Sequence, residues 1–363
     1  MTGPARSHTI AQAAAIAGAV AAAILPFPPS WIERGYSTSF YIFLQQRLTP
    51  ISNALPVSLL DIASAVLLAV ALSHIVRALR HRPGGWLRAI GGLFLDVAAT
   101  AAAVYLLFLL LWGLNYRRAP MTARLDHDQS RVTGAEVERI AIEAVRRLND
   151  LHPIAHRSPW PDLSELPSRM APSFAEAQRV IGMKRLAAIG RPKPTLLDWY
   201  FRRAAIDGMT DPFFLEVLLN REILPFERPA VLAHEWAHLA GFAHEAEAGF
   251  LGWLTTTFGD EQAQYSGWLT VFSYAAGSLD DGSRGRVVKS LSPGVREDLR
   301  AISRRLRSSA PEVRALAMAA YDRFLRANRV ESGVRSYDEL IAIIAGTRFD
   351  ARGRPVRSLM APP

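Results

Sequence analysis

The chain contains no cysteine among its 363 residues. That absence excludes a disulfide framework and every zinc site built on thiolates, and it leaves the compartment open. Acidic residues are the scarcer charge: 33 Asp and Glu stand against 42 Lys and Arg, for a net charge of +9. The arginines are scattered rather than gathered into one basic stripe, and no nucleic-acid module is recognisable, so no nucleic-acid partner is expected. Attraction to anionic lipid headgroups accounts for the positive excess.

What the chain has in plenty is apolar sequence. Residues 9–26 are almost all Ala, Ile, Val and Leu, with Thr9 and Gln12 the polar exceptions; further runs cover 55–76 and 89–114. Each reaches the roughly 20 apolar residues that a transmembrane helix needs. Asp61 and Asp96 lie near the ends of the second and third runs, where an acid is expected to reach headgroups or a neighbouring helix. The first run also resembles a signal peptide, with Ala21 and Ala23 as the small residues of a cleavage site. With only Arg6 and the amino terminus as flanking charge, it is read here as an uncleaved span.

Loop charge sets the orientation. Arg77, Arg80, Arg82 and Arg88 crowd the short connection between the second and third runs, whereas the connection from 27 to 54 carries only Arg34 and Arg47. Positive loops stay inside. The expectation is a multi-pass protein of the cell membrane with a cytoplasmic N-terminus, and everything after residue 115 outside. Trp112 and Tyr116 stand at the exit, where amphipathic aromatics collect.

Within the outer part, P-A-V-L-A-H-E-W-A-H-L-A-G at 229–241 places His234 and His238 four apart, with Glu235 between. On a helix, residues i and i+4 share a face, so two imidazoles can converge on one ion with the carboxylate at its edge. This is the HExxH arrangement of zinc hydrolases. Pro229 suits the first turn, Gly241 suits the left-handed position past the end, and the rest is apolar nearly all round. Two histidines and a glutamate in a buried helix are costly unless something satisfies them, and Zn2+ would.

A catalytic zinc needs a third protein ligand and an open position. His244, Glu245 and Glu247 are the candidates. His244 gives the metzincin spacing HExxHxxGxxH, yet the next methionine after it is Met318. Glu245 shares a helix face with the small residues Ala248, Gly249 and Gly252, which would let a second helix approach the first closely; Glu247 points the other way, among aromatics.

The remainder is scaffold. A polar linker is expected over 116–134, an amphipathic helix over 134–151, a helix over 173–188, and Arg-rich amphipathic helices from 286 onward. M-T-D-P-F-F-L-E-V-L-L-N at 209–220 reads as a strand able to offer its backbone to an extended peptide. The expected architecture is mainly α: a membrane domain (1–115) with three transmembrane helices, an α+β zincin-like extracytoplasmic domain (116–350) with a short strand segment before the HExxH helix, and a flexible tail (351–363).

The chain resembles the bacterial membrane family DUF3810, whose members resemble zinc-dependent peptidases of the gluzincin type. The matching stretches are P-F-F-L-E-V-L-L-N at 212–220, P-F-E-R-P-A-V-L-A-H-E-W-A-H at 225–238, G-F-A-H-E-A-E-A-G-F at 241–250 and Y-S-G at 265–267. W-G-L-N-Y at 112–116 and G-V-R-S-Y at 333–337 extend the match over most of the chain. The resemblance implies Glu245 as third ligand beside His234 and His238. The chain departs from the family pattern at Gly249, where an Asn or Asp would supply an outer-shell hydrogen bond.

The function expected on these grounds is a membrane-anchored zinc metalloendopeptidase acting on a peptide or protein substrate. Zinc would lower the pKa of a bound water toward roughly 7 and polarise the scissile carbonyl, and Glu235 would take the proton and pass it to the leaving amine. Tyr265 or His244 is available as an oxyanion donor, although each also reads as structural. The alternative is a non-catalytic zinc-stabilised membrane scaffold or peptide-binding module, to which a general base at Glu235 would be of no use.

Overall fold

The computed structural model describes residues 3–81, 86–331, 333 and 339–358. It is mainly helical. The first part comprises α1 (Gly3–Ile24), the single turn α2 (Pro29–Trp31), a π-helix (Ile32–Phe40), α3 (Tyr41–Asn53), α4 (Leu59–His81) and α5 (Trp86–Leu111). Short 3-10 turns at Gly113–Arg117, Met121–Arg124 and Gln129–Arg131 lead to α6 (Gly134–Ala155), α7 (Leu166–Val180), β1 (Pro192–Lys193), α8 (Asp198–Ala204), β2 (Gly208–Thr210) and β3 (Val217–Leu219). Then come α9 (Arg228–Leu239), α10 (Glu245–Thr257), α11 (Glu261–Gly277), α12 (Asp281–Lys289), α13 (Pro293–Arg307), α14 (Pro311–Ala327) and α15 (Glu339–Gly346).

Among the described residues three helices are long and apolar enough to cross a membrane, over Ser7–Ile24, Leu59–Arg77 and Ile90–Leu111, and few of these residues are covered by the rest of the protein. An apolar helix that presents its side chains outward in this way suits a bilayer. Asp96 of α5 accepts a hydrogen bond from Gln12 of α1 at 2.6 Å, so this acid meets a neighbouring helix, as its place near a span end suggests.

The stretch from 27 to 54 is not a plain loop. Its helices pack into the part of the molecule that follows the spans. Tyr41 donates to the Leu239 carbonyl at 2.8 Å, Thr49 to Leu215 at 2.8 Å and Ser52 to Phe214 at 2.7 Å, while Gln45 exchanges two hydrogen bonds with the backbone of Ala188. The 116–134 segment, expected as a linker, also packs: Met121 and Leu125 are buried. Residues 351–358, expected in a flexible tail, are hydrogen-bonded instead, Asp126 N to Val356 O and Ser358 N to Arg124 O. In these three places the burial comes from long-range partners that local composition does not reveal. Of the Gly333–Tyr337 stretch, 334–337 lie outside the described residues, as do 359–363 of the tail.

The single strand expected near 209–220 is a pair. β3 is the middle of a three-stranded sheet in the order β1-β3-β2, parallel to β1 and antiparallel to β2. Asp211, accepting from the amides of Phe213 and Phe214, and Leu215 at φ +51° fold the chain back between the two strands. Glu216, fully buried inside this turn, accepts from Ser58 Oγ and from the amides of Leu59 and Leu60, and it pairs with Lys193 at 2.7 Å. It therefore caps the N-terminus of α4, where unpaired amides and the helix dipole favour an anion.

A second buried ion cluster joins the π-helix to the segments beyond. Glu33 takes two hydrogen bonds of 2.9 Å from Arg118 and one from Arg124, while Arg118 also donates to the Gly241 carbonyl and lies over the Phe242 ring. Burial pushes the Glu33 pKa up, but the two guanidinium groups outweigh it and hold the carboxyl below its usual range. Removing one member of such a cluster strands the others without compensation. Glu33→Gln is therefore expected to cost about 3–5 kcal/mol of stability, read as a large drop in the melting temperature of the detergent-purified protein, whereas Glu136→Gln, in an exposed pair with Arg139, leaves the melting temperature nearly unchanged.

Candidate metal centre

α9 is apolar where it faces the core: Leu232, Ala233, Trp236, Ala237 and Leu239 are buried, and the Trp236 indole donates to the Gly190 carbonyl at 2.7 Å. The helix stops at Gly241, at φ +83°. There the amide of Phe242 bonds to Ala237 O and that of Gly241 to His238 O, the two hydrogen bonds of a Schellman stop. A Cβ at 241 would lie 3.0 Å from Tyr41 and Asn115, so both conformation and space call for glycine. After this turn α10 runs back against α9. Gly252 is the point of closest approach: a Cβ there would stand 3.0 Å from the amide nitrogen of His234.

That approach brings three donor atoms together. His238 Nε2 lies 3.1 Å from His234 Nε2, His234 Nε2 lies 3.1 Å from Glu245 Oε2, and His238 Nε2 lies 3.6 Å from the same oxygen. A tetrahedral zinc ion with bonds of about 2.0–2.1 Å sets its ligand atoms roughly 3.3 Å apart. The triangle fits that spacing, and two imidazoles with a carboxylate are the donor chemistry zinc takes. His238 Nδ1–H donates to the Phe242 carbonyl at 2.8 Å, which leaves the lone pair of the neutral ring on the Nε2 that faces the junction. The Glu245 side chain is only 2% exposed, while that of His234 is 23% exposed and marks the open side.

Electrostatics favour a cation at the junction. Burial works against charge on His238, yet the carboxylates of Glu245 and Glu235 outweigh it and lift the pKa to about 9. Burial likewise disfavours charge on Glu245, and the two histidines more than reverse this, holding the carboxyl well below its usual range. Glu235 lies outside the triangle. Its Oε2 accepts from Thr210 of β2 at 2.8 Å, and burial raises its pKa in spite of both histidines.

The other candidates point elsewhere. His244 is the N-cap residue of α10, with Nε2 3.3 Å from the Tyr116 carbonyl. Glu247 accepts from the amide of Met121 at 2.6 Å. Tyr265, named as an oxyanion donor, is buried and donates to Asp298 at 2.5 Å. There it joins His156, and the stacked rings of His152 and His156, in a second histidine-carboxylate cluster between α6, α11 and α13. Neither His244 nor Tyr265 is thus spare for the HExxH site.

Sequence reasoning missed Tyr321. From α14 its hydroxyl donates to Glu245 Oε1, the oxygen turned away from the histidines. It holds the Glu245 carboxylate, which residue 249 does not reach; a Cβ at 249 would meet Leu340 instead. Tyr321 lies 76 residues from Glu245 in a helix otherwise read as scaffold, and no local signal marks it.

A family model described as "Protein of unknown function (DUF3810)" matches residues 36–345. No curated protein and no solved structure matches the chain.

The geometry sorts the acids and histidines by their effect on metal content. His234→Ala, His238→Ala and Glu245→Ala are expected to abolish stoichiometric zinc in the purified full-length protein, measured by mass spectrometry, whereas His244→Ala and Glu247→Ala retain it. Tyr321→Phe should weaken zinc affinity about 10- to 100-fold, as the loss of an outer-shell partner does; an unchanged affinity removes its orienting role.

Proposed function

The chain belongs to the DUF3810 family, whose function is unknown, and on that footing we propose that it is a membrane-anchored zinc-dependent metallopeptidase. The observation that supports this most directly is the convergence of His234, His238 and Glu245 on one point, with the buried Glu235 beside His234 on the same helix α9. Among the described residues three donors converge, rather than four, and a position left open is the mark of a catalytic and not a structural zinc site.

A zinc ion held by these three side chains supplies Lewis acidity toward a carbonyl oxygen and acidity to a water. The chain's own residues do the rest. Thr210 holds Glu235 Oε2, leaving Oε1 to accept a proton from the attacking water and return it to the departing amine. Gly208 makes room for that oxygen: a Cβ at 208 would stand 2.7 Å from Oε1.

β2 is the edge of the sheet and lies beside α9. Asp207 and Asp211, which flank it, hydrogen-bond to Asn220 and Glu216. In an antiparallel ladder hydrogen-bonded residues alternate, so the N–H and C=O groups of Gly208 and Thr210 turn away from β3. An extended peptide can add there as a further strand, its backbone running past Glu235. This is the reading in which the strand segment, the base and the triangle serve one reaction. The proposed placement is the cell membrane, with the N-terminus cytoplasmic and this site outside, following the arginine-rich connection between the second and third spans.

A scaffold or peptide-binding module would use the same zinc without hydrolysis, and substitution at the base separates the two. Glu235→Gln is expected to leave zinc stoichiometry intact and to lower peptide hydrolysis by about 10²- to 10⁴-fold. Full activity in that variant overturns the mechanism; no activity in zinc-loaded parent protein, with peptide still bound, favours the module. Gly208→Ala, which pushes on Glu235 Oε1, should reduce turnover with zinc content unchanged.

A further inference from the structure

The metal-centre residues are not carried on a stalk. Every end of the three candidate spans on this side is tied to the same body. At the end of α1, Arg117 donates to Ala22 O at 2.8 Å, and Arg329 donates to Ala23 O and Leu25 O. The start of α4 is held by Glu216, and Asp61 in the same first turn accepts from Thr195 Oγ1 and the Leu196 amide. At the end of α5, Tyr36 donates to Leu110 O at 2.9 Å.

One further connection reaches the site itself. Trp112, one residue beyond the third span, donates from its indole to the His238 carbonyl at 3.1 Å, and its ring lies 6.1 Å from that imidazole. On the other side of the triangle, Glu245 is held by Tyr321, Tyr321 stacks on Phe324, and Phe324 meets Phe108, inside the span, at 5.9 Å. The sheet edge proposed for peptide belongs to the sheet whose Glu216 caps α4. A cavity of about 750 Å3 opens among Phe27, past the first span, Tyr116 and Arg118, past the third, and His244 and Glu247. Leu196 and Trp199, 75% and 58% exposed beside the start of α4, are apolar groups of the kind that sit at a bilayer surface.

From this juxtaposition we infer that the substrates are polypeptides anchored in the same membrane, cut within a few residues of the point where they leave it. The inference rests on the peptidase reading and adds to it the substrate class. Its basis is height: the triangle stands one or two side chains above the span ends and, pinned at all three, it cannot rise. An extended chain climbs about 3.3 Å per residue, so a bond at that level lies roughly three to eight residues from its own span.

The test uses the full-length zinc-loaded protein in vesicles of phosphatidylcholine and phosphatidylglycerol. The probe is a single-span reporter bearing an unstructured outer tail of roughly forty mixed residues, a reach of about 130 Å when extended. The same tail without its span, and a reporter with the tail sequence reversed, accompany it. Cut positions are read by mass spectrometry, with Glu235→Gln as control. The expected result is that cuts in both tethered tails fall mainly in the ten residues nearest the bilayer, about tenfold more often than in any later ten, beyond what tethering alone does to local concentration. Cuts spread evenly along the tail, or following the sequence when it is reversed, overturn the inference while leaving the peptidase reading standing. No Glu235-dependent cut in either tethered or free tail removes both.

Discussion

Everything at the candidate metal centre depends on two helix backbones being allowed to touch. His234 and His238 are presented by α9 alone, but Glu245 reaches them only because α10 returns against α9 with no side chain between them at Gly252. The turn that permits the return is fixed by Gly241, where a left-handed residue and a lack of space coincide. Given that contact, the distances among the three donor atoms follow from ordinary helix geometry. Without it, the sequence holds the same residues and no site.

A second layer of constraint lies in polar groups buried far from water. Glu33, Glu216 and Arg118 are each 5% exposed or less, and each is matched by groups distant in sequence. Such clusters contribute little net stability in comparison with apolar packing of the same volume, but breaking one is costly. Their positions suggest what they specify. Glu33 fixes the π-helix, through Arg118, to the turn after α9, and Glu216 fixes the sheet to the start of α4, so they hold the register between the long apolar helices and the part that carries the candidate metal centre.

Much of this could be read along the chain. The three apolar runs, the α9 helix with its stop, and the small face of α10 that selects Glu245 over Glu247 all rest on local periodicity and on the residues that begin and end helices. What escaped was long-range. A single strand was expected where Asp211 and Leu215 fold the chain into two, because a short apolar run has no periodicity that marks a reversal inside it. The 27–54 connection looked like a loop because its buried groups, Tyr41, Gln45 and Thr49, are polar at one end and find their partners over 140 residues away. Tyr321 could not be found at all, since a tyrosine on an amphipathic helix looks the same whether it faces solvent or a carboxylate.

The interlocking of residues 29–53 with the later chain has a practical corollary. The apolar helices and the chain that follows them are not separable modules here: trimming away everything before residue 116 would take with it the phenol on the Leu239 carbonyl, the hydroxyl on Leu215 and the indole on His238. A fragment trimmed in this way would keep His234, His238 and Glu245 and lose the frame that aims them.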